Sequence, residues 1–387
     1  MKLHYPHKKS EKEILDSIPD VELVRHNNSS SRNMLVNADN LVTLKQLITT
    51  HNLTGAIDLI YLDPPFATNN TFTVTNGRAN TISSSANGTI AYKDTMKGAE
   101  FIEFLRQRLI LLNILISPQG SIYLHIDYKI GHYVKVMMDE IFGIENFRND
   151  ITRIKCNPKN FARKGYGNIK DMILFYSKSD NLIWNEPKTT YSEADRLKLF
   201  PKTDKNGRHY TTIPLHAPGE TKNGKSSQPF RNIAPPTGRH WRTDVETLEQ
   251  WDNDGLIEWS ANGNPRKIIY FDEQEGKRMQ DIWEFKDPQY PVSPTEKNPD
   301  MLDVIVKTSS NENSYVLDCF CGSGTTLKAA HNNGRNWIGI DQSDEAIKAT
   351  TAKLHSIEGE LFMPQTDYQL WTEKKETHTL ARNGKMA

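Results

Sequence analysis

A strand, a glycine-rich loop, a helix and a second strand ending in an acid follow one another between Tyr315 and Asp341 of the 387-residue chain. This alternation predicts a parallel α/β sheet with helices packed against it. Only 46 residues follow Asp341, too few to complete a doubly wound sheet of five or more strands. We therefore expect the N-terminal part of the chain to supply the remaining strands.

The N-terminal part does contain such elements. The nearly continuous apolar run Ala56–Leu62 predicts a strand buried on both faces. A short strand ending just before Asp39 precedes it, and an amphipathic helix and a strand over Gly120–Ile126 follow it. The segment Asn69–Gly88 is rich in Asn, Thr, Ser and Gly and predicts a mobile loop.

The middle of the chain has a different character. After about residue 180, frequent prolines and scattered aromatic residues replace the alternation and predict an irregular α+β insertion. We therefore divide the chain into an N-terminal half of the α/β domain (1–180), an insertion (181–291), a C-terminal half (292–360) and a tail (361–387).

Composition excludes several classes of protein. The mean hydropathy is −0.65 and no apolar run is long enough to cross a bilayer. We find no secretory signal at the N-terminus and expect a cytoplasmic protein without membrane contact. The three cysteines form neither a disulfide framework nor a zinc-binding pattern. We therefore expect no metal.

Charge is balanced overall, with 48 basic and 48 acidic residues, but the middle of the chain is locally basic. The basic residues of two segments are Arg153, Lys155, Lys159, Arg163, Lys164, Lys170 and Lys178, followed by Lys202, Lys205, Arg208, Lys222, Lys225, Arg231, Arg239 and Arg242. Such clusters are typical either of solvated faces or of nucleic-acid surfaces. Interleaved rings favour the second interpretation, because unstacked bases pack on aromatic side chains; these are Tyr166, Tyr210, His216, Phe230, His240 and Trp241.

The glycine-rich loop predicts a nucleoside-binding site. Gly322 and Gly324 lie between a strand and a helix, where a ligand can approach the backbone. Asp341, at the end of the next strand, is suitably spaced to accept hydrogen bonds from both ribose hydroxyls. A third glycine is missing, and Asp318 and Phe320 crowd the place of a pyrophosphate, so NAD and FAD are disfavoured.

A second motif, Asp63-Pro64-Pro65-Phe66, ends the strand Ala56–Leu62. The Asp63 carboxylate and the Pro64 carbonyl are acceptors only, so together they can take both hydrogens of an exocyclic amine. The prolines stiffen the loop and remove competing amide donors. Phe66 can stack on the base that carries the amine.

These two motifs resemble those of the S-adenosylmethionine-dependent DNA amino-methyltransferases, which combine a DPP(Y/F/W) motif with an FxGxG-like motif. The motif order resembles the β group, which includes the modification subunits of type III restriction systems and stand-alone relatives. The resemblance extends from about residue 37 to residue 354 and includes Gly238–Arg242, Asp281–Trp283 and Ser293–Lys297. It implies a Rossmann-like doubly wound methyltransferase sheet with circularly permuted motif order and a target-recognition insertion.

The resemblance also implies roles for individual residues. It assigns Asp63, Pro64, Pro65 and Phe66 to catalysis, and Asp39, Thr295, Lys297, Asp318, Phe320, Gly322, Gly324, Thr325 and Asp341 to the cofactor S-adenosylmethionine. Within that set, Asp39 is expected at the adenine edge, Asp341 at the ribose and Lys297 beside the methionine carboxylate. Asn298 stands where the family usually has a proline. For DNA contacts we select Arg163, Lys164, Arg239 and Arg242.

The implied activity is methyl transfer to the exocyclic N6 of an adenine flipped out of double-stranded DNA. Loop Asn69–Gly88, which follows Asp63, is expected to be either a lid for the flipped nucleotide or an ordinary surface loop. Cytosine N4 is an alternative target, although a serine commonly replaces the aspartate there. A catalytically silent DNA-recognition subunit is another alternative. NPPY enzymes acting on RNA or protein glutamine are disfavoured by Asp63. A separate restriction subunit and a homodimer are partners that the resemblance leaves open.

Overall fold

A computed structural model provides the structure of the chain. It describes residues 2–65, 71–75, 78–81, 89–93, 98–158, 162, 164–221, 223–287, 296–356 and 366–374, and only the backbone within 71–93. The described residues divide into two compact units, Met1–Pro187 with Gln280–Ala387, and Lys188–Met279. The second unit lies within the predicted insertion 181–291. Within the described residues, no helix has the length and apolar character needed to span a membrane.

The helices of the described residues are α1 Glu11–Ser17, α2 Asn40–Thr49, α3 Ala99–Leu115, α4 Tyr128–Phe142, α5 Glu193–Leu199, α6 Val245–Asn253, α7 Pro299–Ser309, α8 Thr325–Asn332 and α9 Asp344–His355. The strands are β1 Leu23–Arg25, β2 Met34–Asn37, β3 Ile57–Leu62, β4 Thr71–Thr75, β5 Arg78–Thr81, β6 Thr89–Lys93, β7 Ile116–Ile126, β8 Phe147–Ile154, β9 Lys170–Ser177, β10 Lys188–Thr189, β11 Lys202–Thr203, β12 His209–Pro214, β13 His216–Pro218, β14 Arg239–Trp241, β15 Ile257–Trp259, β16 Pro265–Tyr270, β17 Lys277–Arg278, β18 Ile282–Trp283, β19 Tyr315–Asp318, β20 Asn336–Asp341 and β21 Gln369–Glu373.

The first unit is built on a ten-stranded sheet with the order β1-β21-β2-β20-β19-β3-β7-β9-β8-β18. The six strands from β21 to β7 are parallel to one another. Strand β9 pairs antiparallel with both β7 and β8. As expected, N-terminal and C-terminal segments of the chain alternate within this one sheet.

The central strands form where apolar residues run without interruption. In β3, Ile57, Leu59, Ile60 and Leu62 are fully buried, which is typical of a strand covered on both faces. The same holds for the interior of β19 and β20. Helix α3 is more buried than an amphipathic surface helix, since ten of its 17 residues are buried, including the five consecutive residues 108–112, and its apolar residues pack into the same core.

The connections show that the sheet is doubly wound. The crossovers through α2 and α3 move from β2 to β3 and from β3 to β7, whereas those through α8 and α9 move in the opposite direction, from β19 to β20 and from β20 to β21. Because such crossovers are right-handed, the two pairs of helices cover opposite faces. Accordingly α2 contacts α3, and α8 contacts α7 and α9. This confirms the predicted fold class and places the switch point between β3 and β19, where open sheets bind ligands.

Two expectations were wrong. The predicted loop Asn69–Gly88 contains β4 and β5, which join β6 in a three-stranded antiparallel sheet. Its Thr-Phe-Thr-Val-Thr run alternates β-branched and aromatic residues, which favour a strand over a structureless loop. The predicted tail contains β21, which pairs parallel with β2 and antiparallel with β1.

The second unit has small antiparallel sheets, with the order β11-β12-β16-β15 in one and β13-β14 in another. Its core includes Leu215, Phe230, Trp241, Leu248 and Ile257. Irregular structure of this kind agrees with the α+β character predicted from the prolines.

Candidate active site

Three carboxylates meet at the switch point. Asp63 follows β3, while Asp318 and Asp341 end β19 and β20. Because β19 pairs parallel with both neighbours, their carboxyl ends lie at one edge of the sheet. Burial, together with the negative charges of Asp63 and Asp341, raises the pKa of Asp318 to about 7, against hydrogen bonds from Thr326 and from the Phe320 amide that lower it. This edge therefore favours a ligand that carries positive charge.

The glycine loop packs onto this edge. Asp341 Oδ2 accepts a hydrogen bond from Gly322 N at 3.0 Å, and Oδ1 accepts one from Ser343 N at 2.9 Å. Burial raises the pKa of Asp341 above its usual value, and these backbone hydrogen bonds offset only part of that rise. Asp341 thus holds the loop, and its two oxygens keep lone pairs that could accept from a ribose.

The two glycines serve different purposes. Both have positive φ, +51° at Gly322 and +75° at Gly324, which a residue with a Cβ rarely adopts. A Cβ on Gly324 would come within 2.7 Å of Thr350 Cγ2, so packing requires glycine there. Among the described residues, a Cβ on Gly322 would meet only the Phe320 carbonyl oxygen, at 3.9 Å. The space beside Gly322 is open to a ligand.

Lys353, which was not among the predicted site residues, contacts the glycine loop. Lys353 Nζ, on α9, donates to Glu296 Oε1 at 2.6 Å, to Ser323 Oγ at 3.0 Å and to Thr325 Oγ1 at 2.7 Å. Lys353 and Glu296 are about 15% exposed. The predicted cofactor residue Thr325 therefore lies beside a cation. The sequence feature that could have indicated a role for Lys353 is its position on the helix that directly follows Asp341.

Asp39 has a structural role in addition to the predicted one. It caps α2, where its Oδ1 accepts from Leu41 N at 2.7 Å, and its Oδ2 lies 3.5 Å from Arg108 Nη2. The next residue, Asn40, donates from Nδ2 to the Cys319 carbonyl at 2.7 Å. The start of α2 is thereby tied to the loop that follows β19.

Arg108 and Phe104 connect the same region to Phe320. The Arg108 guanidinium lies 3.5 Å from the centre of the Phe104 ring, which in turn lies 6.1 Å from the Phe320 ring. Burial lowers the pKa of Arg108 to about 10. Phe320 is thus held by aromatic packing at the mouth of the loop.

Of the two carboxylate oxygens of the catalytic candidate Asp63, one has a partner among the described residues and the other has none. Its Oδ2 lies 2.6 Å from Lys297 Nζ, and the two side chains are 15% and 12% exposed. Its Oδ1 is buried, with no hydrogen-bond partner in the described part of the chain. The structure thus places Lys297 against Asp63. Phe66 and Thr295 lie outside the described residues, and Pro64 and Pro65 continue directly from Asp63.

Below Asp63, a buried polar network crosses the sheet. Tyr61 Oη lies 3.0 Å from His125 Nδ1, and His125 Nε2 lies 3.2 Å from Asp171 Oδ2. Lys155 Nζ donates to Asp171 Oδ1 at 2.7 Å, and Arg153 Nη1 lies 3.5 Å from Oδ2. Burial lowers the pKa of His125. Although burial opposes it, hydrogen bonds from His125 and Lys155 and the positive charge of Lys155 lower the pKa of Asp171.

This network corrects the predicted basic surface. Arg153 is fully buried and also pairs with Asp287, and Lys155 pairs with Asp171. Phe230 and Trp241 are core residues of the second unit and cannot stack on bases. The sequence feature that could have indicated this is the position of Arg153 within a strand, where a charged side chain can be buried.

The selected DNA-contact residues are distributed over both units. Lys164 is exposed in the first unit, and Arg163 lies outside the described residues. Arg239 and Arg242 are exposed in the second unit. Arg239 Nη1 is 3.1 Å from His216 Nδ1, and burial together with these two arginines lowers the pKa of that histidine.

Burial disfavours the thiolate form of both cysteines of the loop. Burial raises the pKa of Cys319 and of Cys321, so both remain protonated at neutral pH. The described residues also contain no cluster of three His, Cys, Asp or Glu side chains that could hold a metal ion. The groups that the described part of the site presents are carboxylates, hydroxyls, backbone amides and the ammonium groups of Lys297 and Lys353.

Comparison with known proteins then identifies the family. A family model described as DNA methylase matches residues 57–353, which include both motifs and the second unit. The chain belongs to the DNA methylase family. This confirms the resemblance to DNA amino-methyltransferases, and the family spans both adenine-N6 and cytosine-N4 enzymes.

Individual relatives cover most of the chain. It is 37% identical over 359 residues to the type II methyltransferase M.EcaI of Enterobacter cloacae, covering 89% of this chain and 76% of the relative. It is 26% identical to the StyLTI Mod subunit of Salmonella typhimurium, covering 88% of this chain and 57% of that subunit. A putative DNA modification methylase of Thermus thermophilus, solved with S-adenosyl-L-methionine, aligns with a TM-score of 0.45 at 12% identity, covering 87% of this chain and 97% of that one.

Proposed function

We propose that this DNA methylase transfers a methyl group from S-adenosylmethionine to the exocyclic N6 of an adenine flipped out of double-stranded DNA. The observation that carries the proposal is the Asp63 carboxylate, which has one buried oxygen without a described partner. An amine N–H supplies what that oxygen lacks. The DPPF sequence and the similarity to Mod subunits favour adenine over cytosine N4.

The residues of the loop fit the cofactor. The open space at Gly322, the acceptors of Asp341 and the polar group formed by Lys353, Ser323 and Thr325 suit a ligand with a ribose and an amino-acid end. The cofactor supplies a methyl group on a positively charged sulfur. Asp63, Asp318 and Asp341 supply negative charge at the sheet edge where that cation would bind.

On the protein side, hydrogen bonds organise the amine. Asp63 Oδ1 and the Pro64 carbonyl accept its two hydrogens, which directs the nitrogen lone pair toward the methyl group. In such a transfer the nitrogen–carbon bond would form as the carbon–sulfur bond breaks, the sulfur would leave as the thioether of S-adenosylhomocysteine, and the proton lost by the amine would pass to water. No covalent intermediate on the enzyme is needed, in agreement with the protonated state of Cys319 and Cys321.

Target recognition is assigned to the insertion 181–291, which contains the second unit. The exposed Arg239 and Arg242, with Arg163 and Lys164 before the insertion, are proposed to contact phosphates. Exchange of the insertion with that of a relative of known target should transfer the methylated sequence. An active hybrid that still marks the original sequence would place specificity elsewhere. A restriction subunit, a homodimer and a cytoplasmic location remain predictions.

The decisive experiment identifies the modified base. Purified protein is incubated with unmethylated DNA and isotopically labelled S-adenosylmethionine, and the digested nucleosides are analysed by mass spectrometry. We expect N6-methyldeoxyadenosine, and none with Asp63→Ala. N4-methyldeoxycytidine alone would contradict the adenine assignment, and binding of DNA and cofactor without transfer would favour a recognition subunit.

A further inference from the structure

We infer that Lys297 is a positioning residue that holds Oδ2 of Asp63 and so presents Oδ1 as the acceptor for the target amine. The inference rests on the proposed function, because it assumes that Asp63 receives an exocyclic amine. It assigns Lys297 to the target base, whereas the sequence analysis placed this lysine beside the methionine carboxylate.

The first observation is the asymmetry of the two carboxylate oxygens. Lys297 Nζ lies 2.6 Å from Oδ2, while Oδ1 is buried and accepts no hydrogen bond from the described residues. A carboxylate free to rotate about its Cβ–Cγ bond could exchange the two oxygens. A charge-assisted bond to one oxygen fixes that rotation and leaves the other for the substrate.

The second observation is that the lysine is itself anchored. Asn298 follows it and caps α7, since its Oδ1 accepts from Met301 N at 3.2 Å. The same side chain donates from Nδ2 to the Lys286 carbonyl at 2.9 Å. The asparagine that replaces the usual proline therefore fixes the backbone beside Lys297. Helix α7 also contacts β3, the strand that ends at Asp63.

The third observation concerns charge. Asp318 and Asp341 lie at the same sheet edge as Asp63, and the charge of Asp63 acts on Asp318. Burial is the first cause that lowers the pKa of His125, and the positive charge of Lys297 lowers it too. The charge of Lys297 therefore acts on the buried histidine as well as on Asp63, which it contacts.

A different cation serves the cofactor loop. Lys353 already contacts Ser323 and Thr325, the hydroxyl residues next to Gly324. The loop therefore has a lysine of its own. The two lysines separate two tasks, with Lys353 at the loop and Lys297 at the acceptor of the target amine.

The test compares wild type with Lys297→Met, Lys297→Arg, Asp63→Asn and the double variant Asp63→Asn/Lys297→Met. Single-turnover methyl transfer and calorimetric affinity for S-adenosylmethionine are measured for each. Lys307→Met is the matched control, since Lys307 pairs with Asp303 at the same 2.6 Å on exposed α7 surface. We expect the control to match wild type in both measurements.

We expect Lys297→Met to slow transfer by about 10²-fold, the effect of misplacing a reacting group, with cofactor affinity unchanged. Lys297→Arg should recover part of the rate. In the double variant the loss should not exceed that of Asp63→Asn alone, because a residue that acts through Asp63 has nothing left to position.

Three results would overturn the inference. They are an unchanged rate in Lys297→Met, losses that simply multiply in the double variant, and weaker binding of S-adenosylmethionine while 5′-methylthioadenosine, which lacks the amino-acid end, binds normally. The last would return Lys297 to the methionine carboxylate. If wild type transfers no methyl group to any base, the proposed function fails instead.

The same variants also provide a control for folding stability. Removing Lys297 alone leaves a buried carboxylate without its partner, which is destabilising, whereas the double variant removes both charges. We therefore expect the double variant to melt at a higher temperature than Lys297→Met. The reverse order would show that the two groups do not form the pair on which the inference depends.

Discussion

Replacing Asp318 with asparagine tests the electrostatics of the carboxylate edge. Asp318 is 2% exposed, and burial raises its pKa from an ordinary value of 3.8 to about 7. Its Oδ1 accepts a hydrogen bond from Phe320 N at 3.0 Å, which an asparagine oxygen can also accept. Asp318→Asn therefore keeps the shape and this contact and removes the titration, while its amide group must take over the hydrogen bond that the carboxylate makes with the Thr326 side chain.

The expected magnitude follows from the two pKa values. Between pH 3.8 and about 7, the folded protein keeps the Asp318 proton that the unfolded chain has released. The free energy of unfolding therefore falls as pH rises through this window. About three pH units correspond to roughly 4 kcal/mol. The asparagine variant escapes this loss, so its stability relative to wild type should increase by up to that amount from pH 4 to pH 8.

Urea denaturation of both proteins at half-unit steps from pH 4 to pH 8.5 measures the difference. Ligand binding gives a second readout, because a sulfonium cation prefers ionised Asp318. Wild-type affinity for S-adenosylmethionine should rise across pH 7 more than affinity for the product S-adenosylhomocysteine, whose thioether sulfur carries no charge, and Asp318→Asn should reduce that contrast. A stability difference that does not vary with pH would refute the reasoning.

Three further predictions concern the assigned residues. Asp63→Ala should lower methyl transfer on the order of 10²–10³-fold or more, with near-normal calorimetric affinity for the cofactor; near-normal turnover would exclude the motif. Gly322→Val, which fills open space, and Asp341→Ala, which removes the ribose acceptor, should each weaken cofactor binding roughly tenfold to a hundredfold; unchanged titrations in both would move the site. Arg163→Ala with Lys164→Ala should weaken binding to all DNA sequences and reduce its salt dependence by about one unit of slope per lost phosphate contact; an unaltered slope would remove these residues from the interface.

The sequence was sufficient for the elements that carry the cofactor motif and the catalytic motif. An uninterrupted apolar run such as β3 can be recognised locally, and so can two glycines between a strand and a helix. N-terminal strands were also expected to complete the sheet that carries the glycine loop, and they do. The pairing of β3 with β19 was not predicted, because pairing between strands far apart in the chain leaves no local pattern.

The ion pairs were not predictable in the same way. Asp63 and Lys297, or His125 and Asp171, are far apart in sequence, and nothing in the local pattern indicates that they meet. Arg153 shows the reverse error, because a buried arginine and a surface arginine look alike in a basic stretch. Partners of charged residues become visible only when the strands are aligned.

The switch point explains why the motif order along the chain does not matter for the chemistry. Every apolar residue of β3 is buried, so this strand cannot remain at the edge of a sheet without exposing both apolar surface and unpaired backbone groups. Strand β19, from the other end of the chain, pairs with β3. The same pairing places Asp318 beside Asp63 at the carboxyl ends of the strands. The pairing of β3 with β19 therefore completes the core and also brings the site carboxylates together. Either strand could come first in the chain, because the geometry of the site depends on their adjacency and their shared direction.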